Sequence, residues 1–469
     1  MFCALLIRVH PCPSVVRNQM TSRKVFDLLR RYESRNVTLI ERDGSWPIVW
    51  KRAKGVHVWD VEGKKYLDLT AAFGVAATGH ANPRVVRAGQ QQMAKLLHAM
   101  GDVHPHALKA ELARELSRVT FERWAARALN VERSTLKVQR SKDSFRRRFA
   151  GKTIFCNSGF EAVEAALKTA KLATGRRGII AFEGAYHGAG YGALNATHRD
   201  HFRAPFRDQL GEFGNFVPFP VGDDPLARTE EMIHRCFQRQ PIGAVIVEPV
   251  QTRGGINVPP PNFLQLLRRL CDEHDALLLL DEIYTGFGRT GAWFACEYSG
   301  VVPDLICLGK ALAGGFPLSA CVGRADVMDA AWPESSGEAI HTSTFLGHPV
   351  GCVMALAQIE ELQRRRLPER SRQLGELLLT ELQALEAPNL KLAARGSGLM
   401  AGLELRRPDG SPATVETLNV IKRLLHRGFI LLPEGEHSNV ISFTPPLTIT
   451  ESHVQRAVRA LGEELLRCA

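Results

Sequence analysis

Asp281 and Glu282 stand at the end of an uninterrupted apolar run, LLLLDEIYTGFGRTG (277–291). Such a run, closed by a glycine-punctuated turn, has the pattern of a buried strand. An ionised carboxylate at its tip is costly without a partner. A helix cap or a salt bridge would supply one, and so would a buried cation belonging to the protein or to a bound group. Lys310, in CLGKALAGGFP, is a cation in an apolar, glycine-rich setting. It either carries its ammonium out to solvent or, once buried, loses basicity and becomes fit for imine chemistry with a carbonyl. The turn NSGFE (157–161) feeds a helix whose first free amides form a seat for an anion. Tyr186 and His187, in GAYHG, and Glu248 and Gln251, in EPVQ, complete the polar stretches.

These residues fall where strands should end. From about residue 152, short apolar segments alternate with amphipathic ones: KTIFCNSG (152–159), RGIIAFEG (177–184), IGAVIVEPV (242–250), ALLLLDEI (276–283), DLICLGKAL (304–312) and LSACVGR (318–324). Between them EAVEAALKTAKLATG reads as a helix with Val163, Ala166, Leu167 and Ala170 on one face, Glu164 paired to Lys168, and Gly175 as the stop. NFLQLLRRLCDEHD (262–275) reads as another. The alternation predicts an α/β domain with a mostly parallel sheet, in which ligands bind at the carboxyl ends of the strands. After residue 349 the texture changes to two long helices (350–366 and 369–387), then the strands GLMAGLEL (398–405), FILLPE (429–434) and NVISFTP (439–445), and a closing helix from about 451. VHVWDVEGKKYLDL (56–69) predicts a hairpin turning at Glu62-Gly63. The expected organisation is an extension over 1–34, part of a small α+β domain over 35–75, a large domain over 76–348 with a basic insertion at 134–152, and the rest of the small domain over 349–469.

An imine-forming lysine, an anion seat and a buried aspartate in need of a cation amount to one demand. Pyridoxal phosphate meets it, as an electron sink bound through a lysine Schiff base with an acidic partner for its ring nitrogen. A dinucleotide is a poor fit, because Gly188-x-Gly190 is followed by Ala193 where a third glycine is needed.

The chain resembles the class-III pyridoxal-phosphate aminotransferases, the ornithine, acetylornithine and 4-aminobutyrate aminotransferase family, from about residue 35 to its end. The matching stretches are WDVEGKKYLDLT, TGHANP, FCNSGFEAVEAALKTA, YHG, EPVQ, LLLLDEIYTGFGRTG, DLICLGKALAGGFPL and HTSTFLGHP. The resemblance implies fold type I, a small domain built from both chain ends, and a homodimer with shared active sites. It implies that Gly159 and Phe160 give amides to the cofactor phosphate beside Ser158, and that Tyr186 and Ile283 cover the two faces of the ring. Gln251 would approach the ring's phenolic oxygen with Glu248 as its buttress, and Thr344 would reach the neighbouring subunit's phosphate. Lys310 would form the internal aldimine and later shuttle a proton, with Asp281 holding the ring nitrogen protonated; His187 would be structural. An aminomutase or decarboxylase would use the same lysine linkage, but DEIYTGFGRTG is closer to the transaminase branch. A non-catalytic basic binding protein on a retained fold is the reading from another class, and the intact cofactor residues speak against it.

In its 469 residues the chain has 45% hydrophobic and 23% charged residues, the balance of a globular protein. No apolar stretch approaches a membrane span, so no membrane partner is expected. Ten cysteines are scattered without CxxC or cysteine–histidine clusters. That excludes a zinc ribbon or a secreted disulfide framework, predicts no metal, and suits a reducing compartment such as the cytoplasm. Much of the net charge of +11 is local, in STLKVQRSKDSFRRRFAGK (134–152). No nucleic-acid-binding module surrounds it, and a solvated loop is expected. The N-terminus is basic, with no acid before Asp27. It fits a mitochondrial presequence as well as an upstream start before Met20.

The substrate residues depart from the family's pattern. Relatives follow YHG with an arginine that helps bind a substrate carboxylate, where this chain has Ala189; they carry another arginine before Phe-x-Pro-Pro-Leu, where it has Ser442. The usual acidic partner of that second arginine is replaced by Arg253. The expectation is a transposed charge in which Arg253 clamps the carboxylate, against the plain alternative that it points to solvent. Phe73 is expected to add an apolar surface. An ω-amine or β-amino acid, with a small acceptor such as pyruvate, then suits the site better than glutamate, ornithine or 4-aminobutyrate.

Overall fold

The structure is a computed structural model, and it describes residues 20–126, 150–221 and 226–468. Most of the basic segment 134–152 and the first nineteen residues lie outside that range. The chain divides into two compact units, one of Met1–Arg52 with Trp59–Lys65 and one of Ala53–Val58 with Tyr66–Ala469.

In the first unit, the helix Ser22–Tyr32 is capped by the Thr21 hydroxyl, which accepts from Lys24 N at 3.4 Å. The Glu62 carboxylate accepts from both Ser22 N and Ser22 Oγ at 2.9 Å. The expected turn at Glu62-Gly63 forms: Gly63 has a φ of 91°, and Asp60 N donates to Lys64 O at 3.1 Å. Trp59 carries the Arg52 guanidinium 3.7 Å from its ring centre.

The second unit contains both the expected cofactor region and the C-terminal region. At its centre lie seven strands: β1 (Gly151–Cys156), β2 (Gly178–Phe182), β3 (Gly214–Val217), β4 (Ile242–Val247), β5 (Leu277–Asp281), β6 (Leu305–Leu308) and β7 (Ser319–Arg324). Their order across the sheet is β1-β7-β6-β5-β4-β2-β3, with β7 antiparallel to both neighbours and β2 through β6 parallel. β2 and β4 are buried along their whole length, because helices cover both faces of such a sheet. The helix Gly159–Thr174 packs Val163, Ala166, Leu167 and Ala170 into the core and ends at Gly175, whose φ of 66° is the left-handed conformation a C-cap requires. Its Glu164 turns away from the expected Lys168 pairing and accepts from Gly192 N at 2.9 Å. In register, Cys307 on β6 lies opposite both Asp281 on β5 and Cys321 on β7.

The long helices Pro349–Arg364 and Leu367–Gln383 form where expected, as does Glu451–Leu465. FILLPE is not one strand. Phe429–Ile430 pairs in parallel with Leu67 and Asp68, and Leu432–Glu434 belongs to another sheet, antiparallel to Val440–Phe443. Leu432–Glu434 is an edge strand of that sheet, the position that tolerates Pro433.

Candidate active site

The alternation of a strand separates the two acids that end β5. Glu282 is fully buried and spent on structure: its carboxylate accepts from Thr285 Oγ1 at 2.6 Å, Ala295 N at 2.8 Å and Cys296 N at 2.9 Å. Asp281, 5% exposed, turns toward a cavity. It accepts from Ile283 N at 3.1 Å and, through Oδ2, from His187 Nδ1 at 2.7 Å. An ionised carboxylate only accepts, so the imidazole donates. Burial opposes a charge on His187, but the hydrogen bond and charge of Asp281 outweigh it and hold the histidine above its usual range. His187 Nε2 is buried without a hydrogen-bond partner. Sequence reasoning left this residue as structural; it is in fact the aspartate's direct partner. The available signal was its place at the end of β2, two strands away from the end of β5.

Lys310 follows β6 and takes a φ of 40°, a left-handed conformation that a non-glycine residue keeps only where its surroundings fix it. Its ammonium lies 4.3 Å from the ring centre of Tyr284, whose hydroxyl meets Thr444 Oγ1 at 3.1 Å. Burial pulls the Lys310 amine below its ordinary range, with Asp281 and Glu248 opposing that shift. Tyr284 is a second wall residue that the sequence reading passed over.

Asp281 and Lys310 line one cavity of about 480 Å³, together with Phe73, Gly159, Phe160, Tyr186, His187, Glu248, Arg253 and Ile283. Gly159 begins its helix, whose first-turn amides have no partner inside it. Ser158 caps that helix without a side-chain hydrogen bond, and its buried Oγ has no partner at all. Phe160 lies against Gly188, where an added Cβ would fall 2.3 Å from the Phe160 Cβ. Glu248 accepts from Tyr186 N at 2.9 Å and Thr252 N at 3.2 Å, so it fixes the loop that carries the tyrosine. Its burial pushes its carboxyl up to about 7.

Arg253 is on the cavity wall, with its guanidinium 5.4 Å from the Tyr186 ring centre and Nε 3.8 Å from Glu434 Oε2. Phe73 is half exposed, within a run of positive φ from Ala71 to Gly74. Three of the expected residues, Ser158, Gln251 and Thr344, are not among those that line the cavity. Gln251 is fully buried and does not line the cavity; its Nε2 donates to Glu183 O at 2.7 Å, and its Oε1 accepts from Asn257 Nδ2 at 3.0 Å. Thr344 is exposed and outside the cavity of its own chain.

The residues fit pyridoxal phosphate. An amine of lowered basicity, a buried aspartate braced by a histidine, and an anion seat with an orphaned hydroxyl converge on a space of suitable size. Among the described residues no group of three or more histidine, cysteine or carboxylate side chains could hold a metal, and no helix is long and apolar enough to cross a membrane.

Comparison with known proteins agrees with this chemistry. The family model for aminotransferase class-III matches residues 40–465. The chain is 36% identical over 430 residues to the 5-aminovalerate aminotransferase of Pseudomonas aeruginosa, covering 89% of this chain and 93% of that one. It is 35% identical over 434 residues to the 4-aminobutyrate aminotransferase of Escherichia coli, with the same coverage, 89% and 93%. Among solved structures, an amine transaminase from an uncultivated Pseudomonas species, in its pyridoxal-phosphate-bound form, superposes with a TM-score of 0.80 at 26% identity, covering 94% of this chain and 99% of that one. An enzyme that uses pyridoxal phosphate to transfer an amino group is what the cavity and these relatives describe in common, and the chain belongs to the class-III aminotransferases.

Proposed function

We propose that this aminotransferase takes its amino group from a terminal or β carbon and gives it to a small 2-oxo acid such as pyruvate. The observation that carries the reading is the composition of the cavity wall. Arg253 is the one arginine among the described residues that line it, with its guanidinium 5.4 Å from the Tyr186 ring centre and its side chain partly exposed. A single guanidinium suits one carboxylate per substrate. Ala189 and Ser442 leave a dicarboxylate without a second cation, which disfavours glutamate. Phe73 offers the donor an apolar surface. The relatives named for 5-aminovalerate and 4-aminobutyrate support a donor whose reacting amine lies away from an α carbon.

Gly159, Phe160 and Ser158 would seat the cofactor phosphate, Tyr186 and Ile283 would bound its ring, and Asp281 would meet its ring nitrogen. Bound there, pyridoxal phosphate supplies the carbonyl that captures an amine and the electron sink that steadies a carbanion. Lys310 would do the proton work: burial lowers the basicity of its amine, and its Nζ would move a proton between carbon atoms. His187 holds the Asp281 carboxylate in place, and Glu248 holds the Tyr186 backbone.

The active unit is a homodimer in this reading, with Thr344 serving the neighbouring site. Supporting it, Leu97, Met100, Val103 and Phe345 are all more than half exposed, and Thr342 Oγ1 donates to Asp102 at 2.5 Å, tying their two segments together. Exposed apolar side chains on tied segments support an interface there. Sedimentation of the active enzyme tests it, and full activity in a monomer would refute it. A donor and acceptor panel tests the substrate. If 2-oxoglutarate is the best acceptor and Arg253→Ala leaves its specificity constant unchanged, Arg253 has no part in substrate binding.

A further inference from the structure

Tyr284 stands just beyond β5 and turns the face of its ring to Lys310, whose Nζ lies 4.3 Å from the ring centre. Its neighbours fix that ring. The hydroxyl meets Thr444 Oγ1 at 3.1 Å. Thr444 is itself tied down, its N donating to Leu69 O at 2.8 Å and its Oγ1 to Thr70 O at 3.2 Å. Gly74 closes the ring edge: at its φ of 79°, an added Cβ would fall 2.7 Å from Tyr284 Cε1. Burial pushes the phenol above its ordinary range, so the ring stays neutral and keeps its electron-rich face.

Among the described residues no carboxylate comes within ion-pair distance of Lys310 Nζ. The charged groups that face it from further away are Asp281, Glu248 and Glu434, which favour its charge, and Arg253, which opposes it. A cation over an aromatic face is attracted by the ring's quadrupole, and more strongly where water is excluded.

Resting on the reading of Lys310 as the amine that moves the proton, we propose that Tyr284 is its positioning residue. The ring face receives the Lys310 ammonium whenever the lysine is not joined to the cofactor, and keeps it in the cavity. The ring acts on the charged amine alone. It holds the form that has taken up a proton and lets go of the form that has given one away. Its removal therefore makes the amine easier to deprotonate. A residue that merely filled space would have the opposite effect, because water admitted in its place relieves the burial that disfavours the charge.

The experiment uses the full chain loaded with pyridoxamine phosphate, in which the lysine is free, and with pyridoxal phosphate as the control. Trace acetylation by acetic anhydride, read peptide by peptide in a mass spectrometer across pH, follows the neutral fraction of Lys310. Acetyl transfer to Nζ releases acetate and a proton, and the other lysines of the chain are internal standards. Tyr284→Leu removes the ring and is expected to lower the midpoint by about 0.4–1.5 pH units, with about 2.5- to 30-fold faster labelling on its acid side. Tyr284→Phe keeps the face without the hydroxyl and is expected to keep the wild-type midpoint. Pentafluorophenylalanine at position 284 has nearly the same shape with the polarity of the face reversed, and is expected to lower the midpoint as leucine does. A midpoint unmoved or raised in Tyr284→Leu, or lowered as far in Tyr284→Phe, overturns the proposal. Should Tyr284→Leu not fold, the two phenylalanine forms decide, and equal midpoints in them refute the role of the ring. Protection of Lys310 by pyridoxal phosphate separates the two readings: if it labels equally with either cofactor, its assignment as the cofactor lysine falls, and the proposal with it.

Discussion

Asp281→Asn separates structure from chemistry at the centre of the site. The asparagine has the same shape, and its amide oxygen can go on accepting from Ile283 N. The perturbation removes the charge. With it goes the charge-assisted hydrogen bond from His187, 2.7 Å long and buried at both ends. Such a bond is worth about 1.5–3 kcal/mol, and a neutral replacement retains about 1. The fold should therefore lose about 1–2 kcal/mol, small enough for the variant to purify as a folded protein. Turnover should lose more. A fixed charge aimed at the reacting system acts like other preorganised electrostatic groups, whose removal costs about 2.7–4 kcal/mol, or about 10²–10³ in rate. Steady-state kcat with saturating donor and pyruvate measures the second effect, and urea unfolding measures the first. A kcat within about fivefold of wild type, beside the expected loss of stability, would show that Asp281 serves the fold and not the reaction.

Lys310→Ala is expected to abolish the visible absorbance of the lysine-linked cofactor and all turnover; transamination at the wild-type rate would defeat the assignment of this residue. Gly188→Ala places a methyl group against Phe160 at a φ of 111°, so it should displace the helix start that seats the phosphate. Cofactor retention after gel filtration should fall at least about tenfold, the consequence of about 1.4 kcal/mol of displaced contact. Glu434→Gln carries a stability prediction of known sign. The carboxyl is raised from its ordinary 4.5 to about 7 in the fold, so its contribution is fully present below about pH 4.5 and is lost as pH rises through 7. The variant escapes that loss and should be more stable than wild type at pH 8, by on the order of 3 kcal/mol at most, with a smaller gain at pH 6, as read from urea midpoints.

The parts of this molecule that were legible in its sequence are those that local pattern determines. Leu277–Leu280 could only be a buried strand, and Gly175 could only end its helix. The edge strand Gly214–Val217 is partly exposed along most of its length, so it lacks the apolar run that marks its neighbours. FILLPE reads as one strand because nothing in six residues reveals that two sheets compete for them. At the site, residue type located Lys310 and Asp281, since a buried charge demands explanation wherever it stands. Partnership was not legible. His187 reaches Asp281, and Glu434 reaches Arg253, only because the fold brings distant segments together. The Gln251 amide is taken up by Glu183 and Asn257, and its residue type does not say which way it faces.

The thiols behind the site give the molecule a set of internal clocks. Of the eight cysteines described, Cys236 and Cys468 are partly exposed and the other six are buried. The neighbouring Cys321 thiol, together with burial, raises the pKa of Cys307 well above the ordinary thiol range, so almost none of it is thiolate in the closed structure. Alkylation there must wait for β6 to part from its neighbours, whereas Cys236 needs no such event. Site-resolved labelling by mass spectrometry would read the free energy of opening the strands around Asp281 separately from that of the periphery. No foreign probe has to be introduced. Repeating the measurement with cofactor bound and removed would show how much of the rigidity of β5 and β6 belongs to the chain and how much is lent by the molecule they hold.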